Sequence, residues 1–249
     1  MSHSVRRRAL AALTLATFVS LAAGPAACAG GAPASRAPAS RAPASRAPAA
    51  PSAPSSPAPA PVSDAALERA VLAELNRMRA DPPGYAATLE ALLPYFEGNV
   101  LRRPGERVGL MTQEGAAAVR EAVHALRATR PVPPLRASAG LAAAARDHVR
   151  DQGPRGLLGH VGTDRSSTAD RASRYGRWLG RLTENIDYGA GTGRDVVASL
   201  VVDDGVPDRG HRRNALDPSV SVAGVACGPH AKYRRMCVIV HAGGYEERR

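Results

Sequence analysis

The sequence predicts an α+β domain over residues 63–249, and three observations support that prediction. From residue 63 to about residue 201, apolar side chains recur at spacings of three and four, as on one face of a helix. Toward the end the spacing changes to two, which is typical of β-strands. Residues 1–62 differ from both regions, because they hold no Asp or Glu and consist mainly of Ala, Pro, Ser and Arg. Helices that come first and a small sheet that comes late favour a layered α+β domain.

The first predicted helix begins at Ser63, whose hydroxyl can cap the N-terminus. Its apolar face consists of Leu67, Val71, Leu75 and Met78. A second helical stretch ends at about residue 93. The following Gly, Pro and Arg residues predict a loop.

Four later positions carry helix-capping residues. Thr112 and Ser138 can each begin a helix, Ser167 with Asp170 forms a capping box, and Thr192 pairs in the same way with Asp195. Apolar residues at helical spacing follow Thr112, Ser138 and Thr192, and the capping box at Ser167 predicts a further short helix.

The N-terminal segment reads as an export signal over residues 1–29. Three arginines at 6–8 precede an uncharged apolar stretch at 9–23, and small residues at 27–29 form an A-x-A cleavage site. An uncleaved membrane anchor is the alternative. Either way, we expect the domain outside the cell or at its surface.

Cys28 offers a second interpretation of the same segment. Residues 25–28, Pro-Ala-Ala-Cys, resemble a bacterial lipobox, in which the Cys becomes lipidated and attaches the protein to a membrane. Residues 30–62 repeat Ser-Arg-Ala-Pro-Ala and then become rich in Pro, Ala and Ser. Such a composition predicts a disordered, semi-stiff spacer.

The last quarter of the chain predicts two antiparallel strands, with alternation over 220–226 and an apolar run over 236–242. Cys227 and Cys237 flank the connecting loop and lie symmetrically about Lys232, as cross-strand neighbours would. Because export permits oxidation, we predict a Cys227–Cys237 disulfide. Two free thiols in the core are the alternative.

The charge distribution argues against nucleic-acid binding. The formal charge is +11, from 33 basic and 22 acidic residues. Six of the basic residues precede residue 63, so the domain carries 27 minus 22, or +5. These charges are scattered and form no basic stripe interleaved with aromatic residues. Attraction to an anionic cell envelope fits this balance better.

Four polar residues stand out between the predicted helices: His160, Glu184, Asp203 and His211. Both histidines have a glycine neighbour, and we place all four on loops. Two imidazoles and two carboxylates suffice for a divalent metal site or for acid–base chemistry. Their separations match no single-helix metal motif, so capping or solvent-facing roles remain the alternative.

Five segments resemble motifs of the CAP superfamily, which comprises cysteine-rich secretory, antigen 5 and pathogenesis-related 1 proteins. Residues 184–186, Glu-Asn-Ile, followed by Tyr-Gly at 188–189, resemble its G-E-N-L/I/A segment. His160 resembles the histidine of its L-x-H-S-G segment. Residues 210–214, Gly-His-Arg-Arg-Asn, resemble the G-H-R-x-N of bacterial members. Residues 75–79 and 134–145 are similar to its L-N-x-x-R and P-L…L-x-x-x-A stretches.

The resemblance implies an α-β-α sandwich with a small antiparallel sheet between helices. It also implies that the cleft's His, Glu, Glu and His correspond to His160, Glu184, Asp203 and His211. At the third position Asp replaces Glu, and Asp204 is the alternative. A helical insertion at about 83–130 departs from the family pattern, either as decoration or as a roof over the cleft.

The resemblance further implies binding of a lipid-like, sterol-like or cell-envelope ligand, with zinc or magnesium held by His160 and His211. A metal-dependent hydrolase with Glu184 as base is the first alternative. A structural surface domain, in which the four residues only satisfy one another, is the second.

Overall fold

The computed structural model describes residues 63–248, so the predicted signal peptide, spacer and Cys28 lie outside the described residues. The helices are α1 (Asp64–Ala80), α2 (Pro82–Glu90), α3 (Ala116–Ala128), α4 (Ala139–Gln152), α5 (Thr168–Tyr175), α6 (Gly193–Val202) and α7 (Gly210–Ala215), with 3-10 turns at Leu93–Tyr95 and Gly153–Arg155. The strands are β1 (Phe96–Glu97), β2 (Val100–Leu101), β3 (Leu110–Met111), β4 (Arg136–Ala137), β5 (Gly176–Tyr188), β6 (Val222–His230) and β7 (Arg234–Glu247). Within residues 63–248 no helix has the length and apolar character that crossing a membrane requires.

A four-stranded sheet in the order β4-β6-β7-β5 forms the middle layer. The β6–β7 and β7–β5 pairs are antiparallel, and the short β4 runs parallel to β6. Cys237 and Ile239 of β7 pack with α1 and α6, whereas Val238 and Val240 pack with α4 and α5. The sheet therefore lies between two helical layers, which confirms the predicted α+β sandwich.

Gly224 of β6 explains how closely α4 approaches the sheet. A Cβ atom at this position would overlap the backbone of Leu141 and Ala142. Only a glycine therefore allows this helix to lie directly on β6.

Four of the five predicted capping residues cap a helix in the structure. The side chains of Ser63, Ser138, Ser167 and Thr192 each accept a backbone hydrogen bond at the start of a helix. Thr112 does not, because α3 begins later, after Gly115, and the Thr112 hydroxyl instead donates to the Asn99 carbonyl.

The insertion at 83–130 is helical only at its two ends. Its middle forms a small antiparallel sheet of β1, β2 and β3, where a loop was expected. Each of these strands has two residues, which is too short for a period-two pattern to be visible in the sequence.

The disulfide prediction is confirmed. Cys227 and Cys237 are register partners across the β6–β7 pair and are joined by a disulfide. The bond closes the hairpin that carries the inner two strands of the sheet.

The two predicted antiparallel strands are confirmed as β6 and β7, and the structure adds a third long strand, β5, of 13 residues. This strand lies at the edge of the sheet and has a bulge between Leu179 and Leu182. Charged residues interrupt the apolar pattern of this strand and hide it in the sequence: Arg177 and Arg181 are exposed, whereas Glu184 and Asp187 are buried. Glu184 therefore sits on a strand, where a loop was expected.

The L-N-x-x-R segment of α1 has a structural role. Asn76 exchanges two side-chain hydrogen bonds with the backbone of Leu135, at 2.9 and 2.7 Å. The fully buried Arg79 donates to the carbonyls of Pro133, Ala215 and Val220. These contacts attach α1 to the segment before α4 and to the end of α7.

Candidate functional site

The four polar residues lie together as two histidine–carboxylate pairs. His160 Nδ1 is 2.9 Å from Glu184 Oε1, and His211 Nδ1 is 2.6 Å from Asp203 Oδ1. The two imidazole centroids are 6.5 Å apart, with planes inclined by 33°. The structure therefore brings all four residues into one cleft.

Each residue of the cleft comes from a different element. His160 lies on the loop before α5, and Glu184 projects from the middle of β5. Asp203 directly follows α6 in the left-handed region, with φ of 56°, and His211 is the second residue of α7. Both carboxylate side chains are only 2% exposed, whereas the His160 side chain is 52% exposed and that of His211 25%.

The carboxylates fix which nitrogen of each ring faces the cleft. An ionised carboxylate can only accept a hydrogen bond, so the Nδ1 atom that faces it carries the proton. In a neutral imidazole, Nε2 then keeps a free lone pair. In each ring, Nε2 is thus the nitrogen that remains able to accept a hydrogen bond or bind an ion.

The loop that carries His160 is held by buried side chains. Three consecutive carbonyls each accept from one: Gly159 from His148 at 2.8 Å, His160 from Arg171 at 3.2 Å, and Val161 from Gln152 at 2.9 Å. His148 and Gln152 are four residues apart on one face of α4. Both side chains are buried, so α4 supports the His160 loop from within the core.

Arg171 also binds Glu184 directly. Its Nη2 lies 2.7 Å from Glu184 Oε2, and both side chains are 2% exposed. Burial by itself raises the pKa of the Glu184 carboxyl, but the hydrogen bond from His160 and the charge of Arg171 outweigh it, so the pKa lies below its usual range. Glu184 is therefore an ionised carboxylate with both oxygens engaged. No motif or spacing in the sequence indicated a role for Arg171.

Asp203 and Asp204 point to different partners. Asp203 accepts from the backbone N–H of His211 at 2.8 Å as well as from its ring. Asp204 accepts from the backbone N–H groups of Gln113 and Glu114 at 2.6 and 2.8 Å. The cleft carboxylate is therefore Asp203, and Asp204 faces the insertion.

Asn185 links the two halves of the cleft. As the neighbour of Glu184 on β5, it points to the opposite face of the strand. Its side chain donates to the His211 carbonyl at 2.9 Å and accepts from Asn214 at 2.9 Å. Two successive residues of one strand thus contact both histidine-bearing segments.

The donor set can be compared with what a metal ion needs. A zinc ion bonded to two imidazole nitrogens at about 2.0–2.1 Å holds the ring centroids on the order of 5–6 Å apart. The observed 6.5 Å is wider than this range, so the two rings would have to approach each other to share one ion. Among residues 63–248, no group of three or more His, Cys, Asp or Glu side chains is arranged to hold a metal. Two imidazoles would supply two ligands of a metal ion, and its other positions would go to water or a bound molecule.

An apolar groove of about 460 Å³ begins at His160. It is lined by His160, Val161, Ser167, Thr168, Ala169, Trp178, Gly180 and Leu182. Trp178 is the only tryptophan of the chain and is half-buried there. The bulge at Leu179–Leu182 in β5 shapes one wall. The sequence did not indicate this groove, because its lining comes from three segments.

Comparison with known proteins places the cleft in a family context. Residues 120–241 match the model of the cysteine-rich secretory protein family, CAP. This region contains all four cleft residues and both cysteines of the disulfide. No curated protein matches the chain.

Two solved structures are similar to this one. An extracellular protein containing a SCP domain from Bacillus anthracis is 17% identical, with a TM-score of 0.36 over 50% of this chain and 37% of that one. An outer surface protein of Borrelia burgdorferi is 13% identical, with a TM-score of 0.38 over 47% of this chain and 80% of that one. The chain thus spans well under half of the Bacillus protein.

Proposed function

The chain carries a domain of the cysteine-rich secretory protein family, CAP, and from that premise we propose that it is an exported module that binds a lipid-like or sterol-like ligand of the cell envelope. The observation that carries the proposal is the apolar groove that opens directly beside the polar cleft at His160. Export behind residues 1–29, with or without a lipid on Cys28, would bring this cleft to the envelope.

The two ends of the site suit the two ends of an amphipathic molecule. Trp178, Leu182 and Val161 offer apolar surface for a hydrocarbon portion. The imidazoles of His160 and His211 lie at the polar end and suit an anionic or hydroxyl headgroup. A purely polar ligand would leave the apolar wall exposed to water.

A metal ion would strengthen the polar end. We propose that His160 and His211 hold it through Nε2, with Glu184 and Asp203 orienting the rings as outer-sphere partners. Imidazole ligands favour zinc over magnesium, which prefers oxygen. A bound zinc would supply a Lewis acid for an anionic headgroup.

The geometry gives less support to a hydrolase. A general base needs a free oxygen near the proton that it removes. Both oxygens of Glu184 are engaged, one by His160 and one by Arg171, and its pKa is lowered. Glu184 is therefore better suited to orienting His160 than to accepting a proton.

The groove can be tested with the chain's single tryptophan as reporter. The full chain is titrated with dihexanoylphosphatidylglycerol below its micelle-forming concentration, and Trp178 emission is recorded. We expect a saturable blue shift that Leu182→Asp abolishes and that the control Leu110→Asp, on the exposed small sheet, retains. No saturable change, or an equal response from Leu182→Asp, would overturn the proposal.

The structural alternative has its own discriminating variant. The double substitution His160→Gln with His211→Gln should leave the fold intact and weaken headgroup binding. Loss of the fold with no effect of any ligand on the wild type would instead favour a purely structural role for the four residues.

A further inference from the structure

We infer that residues 112–121 of the insertion position the Asp203–His211 half of the cleft, with Glu114 as the central positioning residue. This gives the insertion a task that neither decoration nor a roof over the cleft describes. The consequence for ligand binding rests on the proposed function, whereas the positioning itself does not.

The first link is a reciprocal exchange between two loops. The Asp204 carboxylate accepts from the backbone N–H groups of Gln113 and Glu114. In return, the Glu114 carboxylate accepts from the backbone N–H of Gly205 at 2.7 Å. The residues that follow Asp203 are thereby attached to the start of α3.

The second link runs from Glu114 through Arg209 to the cleft. Arg209 donates to both oxygens of Glu114 at 2.7 Å. The same guanidinium donates to the carbonyl of Asp203 at 2.7 Å. Glu114 thus holds the side chain that holds the backbone of the cleft carboxylate. Hydrogen bonds from Arg209 and Gly205 keep the pKa of Glu114 at about 2, so this link stays charged at neutral pH.

The third link lies on the far side of His211. Arg212, whose side chain is 8% exposed, donates to both oxygens of Glu121 at 2.7 Å. Glu121 also lies 3.2 Å from Arg209 Nε. Glu121 of α3 therefore holds both Arg212, directly after His211, and Arg209, two positions before it.

The backbone between these links needs external support. Asp203 and Arg209 both adopt left-handed conformations, with φ of 56° and 51°. Non-glycine residues keep such conformations only where surrounding contacts fix them. Glu114 and Glu121 of the insertion hold Arg209, which in turn donates to the Asp203 carbonyl, so loss of the insertion should release this half of the cleft first.

The other half provides an internal control. The His160 loop is held by His148, Gln152, Arg171 and Glu184, which belong to α4, α5 and β5. Within residues 63–248, none of those side chains is hydrogen-bonded to the insertion. A change at Glu114 should therefore affect His211 and leave His160 as it is.

The test compares the two histidines in the full chain with isotope-labelled imidazoles. Ring NMR signals and zinc affinity are measured for the wild type, Glu114→Ala, the milder Glu114→Gln, the conservative Glu114→Asp and the control Glu97→Gln. Glu97 is an exposed glutamate of β1 in the same insertion.

We expect Glu114→Ala to shift or broaden the His211 signals, to spare His160, and to weaken zinc binding about 10-fold or more, as for other outer-sphere partners. Glu114→Gln should show a smaller effect of the same kind, Glu114→Asp should recover part of the loss, and Glu97→Gln should match the wild type. Unchanged His211 signals, or equal changes at both histidines, would overturn the inference. A wild type that binds no zinc would contradict only the proposed metal, because the ring signals still decide the positioning.

Discussion

Replacing Arg171 with methionine should destabilise the fold severely. Its guanidinium and the Glu184 carboxylate are both 2% exposed and lie 2.7 Å apart. Removing one partner of a buried ion pair leaves the other charge uncompensated, which costs about 3–5 kcal/mol. Arg171 also donates to the carbonyls of His160 and Ser166, and each lost bond adds about 1 kcal/mol. Against a total stability of about 5–15 kcal/mol, this is a large fraction.

Urea unfolding at pH 7 measures this cost in a double-mutant cycle of Arg171→Met and Glu184→Gln. Because the double variant has lost both charges of this pair, its loss of unfolding free energy should be smaller than the sum of the two single losses. Arg177→Met is the matched control, since the Arg177–Glu246 pair is 69% and 55% exposed and should contribute about 0–1 kcal/mol. A cost below about 1 kcal/mol for Arg171→Met, or strict additivity, would show that the Arg171–Glu184 pair is not a coupled buried ion pair.

Three further predictions concern the free energy of unfolding, measured in urea. Replacing Cys227 and Cys237 with alanine opens a loop with a separation of 10 residues and should lower the free energy of unfolding by about 2.5–3 kcal/mol. An unchanged free energy of unfolding would show that the hairpin does not need the disulfide. Burial and the charge of Arg79 lower the pKa of His241 to about 3. As the pH falls, the unfolded chain therefore binds a proton at His241 before the folded chain does, and the wild type loses stability between about pH 6.5 and about pH 3. His241→Leu should flatten that slope, and an unchanged slope would contradict the assignment. Burial raises the pKa of Asp187 to about 6, so the wild type loses stability as the pH rises from about 4 to about 6. Asp187→Asn should remove that decline, and an unchanged decline would contradict the assignment to Asp187.

The parts of the fold that the sequence predicts are those with local signals. Ser138 and Ser167 cap helices through backbone groups three residues away, and such contacts depend little on the rest of the molecule. The disulfide belongs to the same class, because Cys227 and Cys237 flank one hairpin.

The parts that the sequence does not predict depend on distant partners. The edge strand β5 carries charged residues at irregular spacing, and its buried Glu184 is paired with His160 and Arg171 from other segments. Gly115, rather than Thr112, is the N-cap of α3, because the Thr112 hydroxyl donates a hydrogen bond to the Asn99 carbonyl in the small sheet.

The residues of the site also divide into those that the sequence predicted and those that it could not. The motifs of the family predicted His160, Glu184, Asp203 and His211, although their spacing alone could not show that they converge. Arg171 could not be predicted, because it is bonded mainly to backbone carbonyls and to a carboxylate far along the chain. Backbone carbonyls are present at every residue, so a side chain that binds them leaves no pattern in the sequence.

The most direct test of the account is the zinc stoichiometry and affinity of the full chain, measured by calorimetry near neutral pH. His160→Gln, His211→Gln and their double variant are compared with the control His124→Gln, which changes an exposed histidine of α3. If the two histidine–carboxylate pairs form one site, the wild type and the control bind one equivalent, and each single variant at the cleft loses about 10-fold or more in affinity. Absence of binding in the wild type, or binding that survives in the double variant, would contradict the claim that the two imidazoles act as one site.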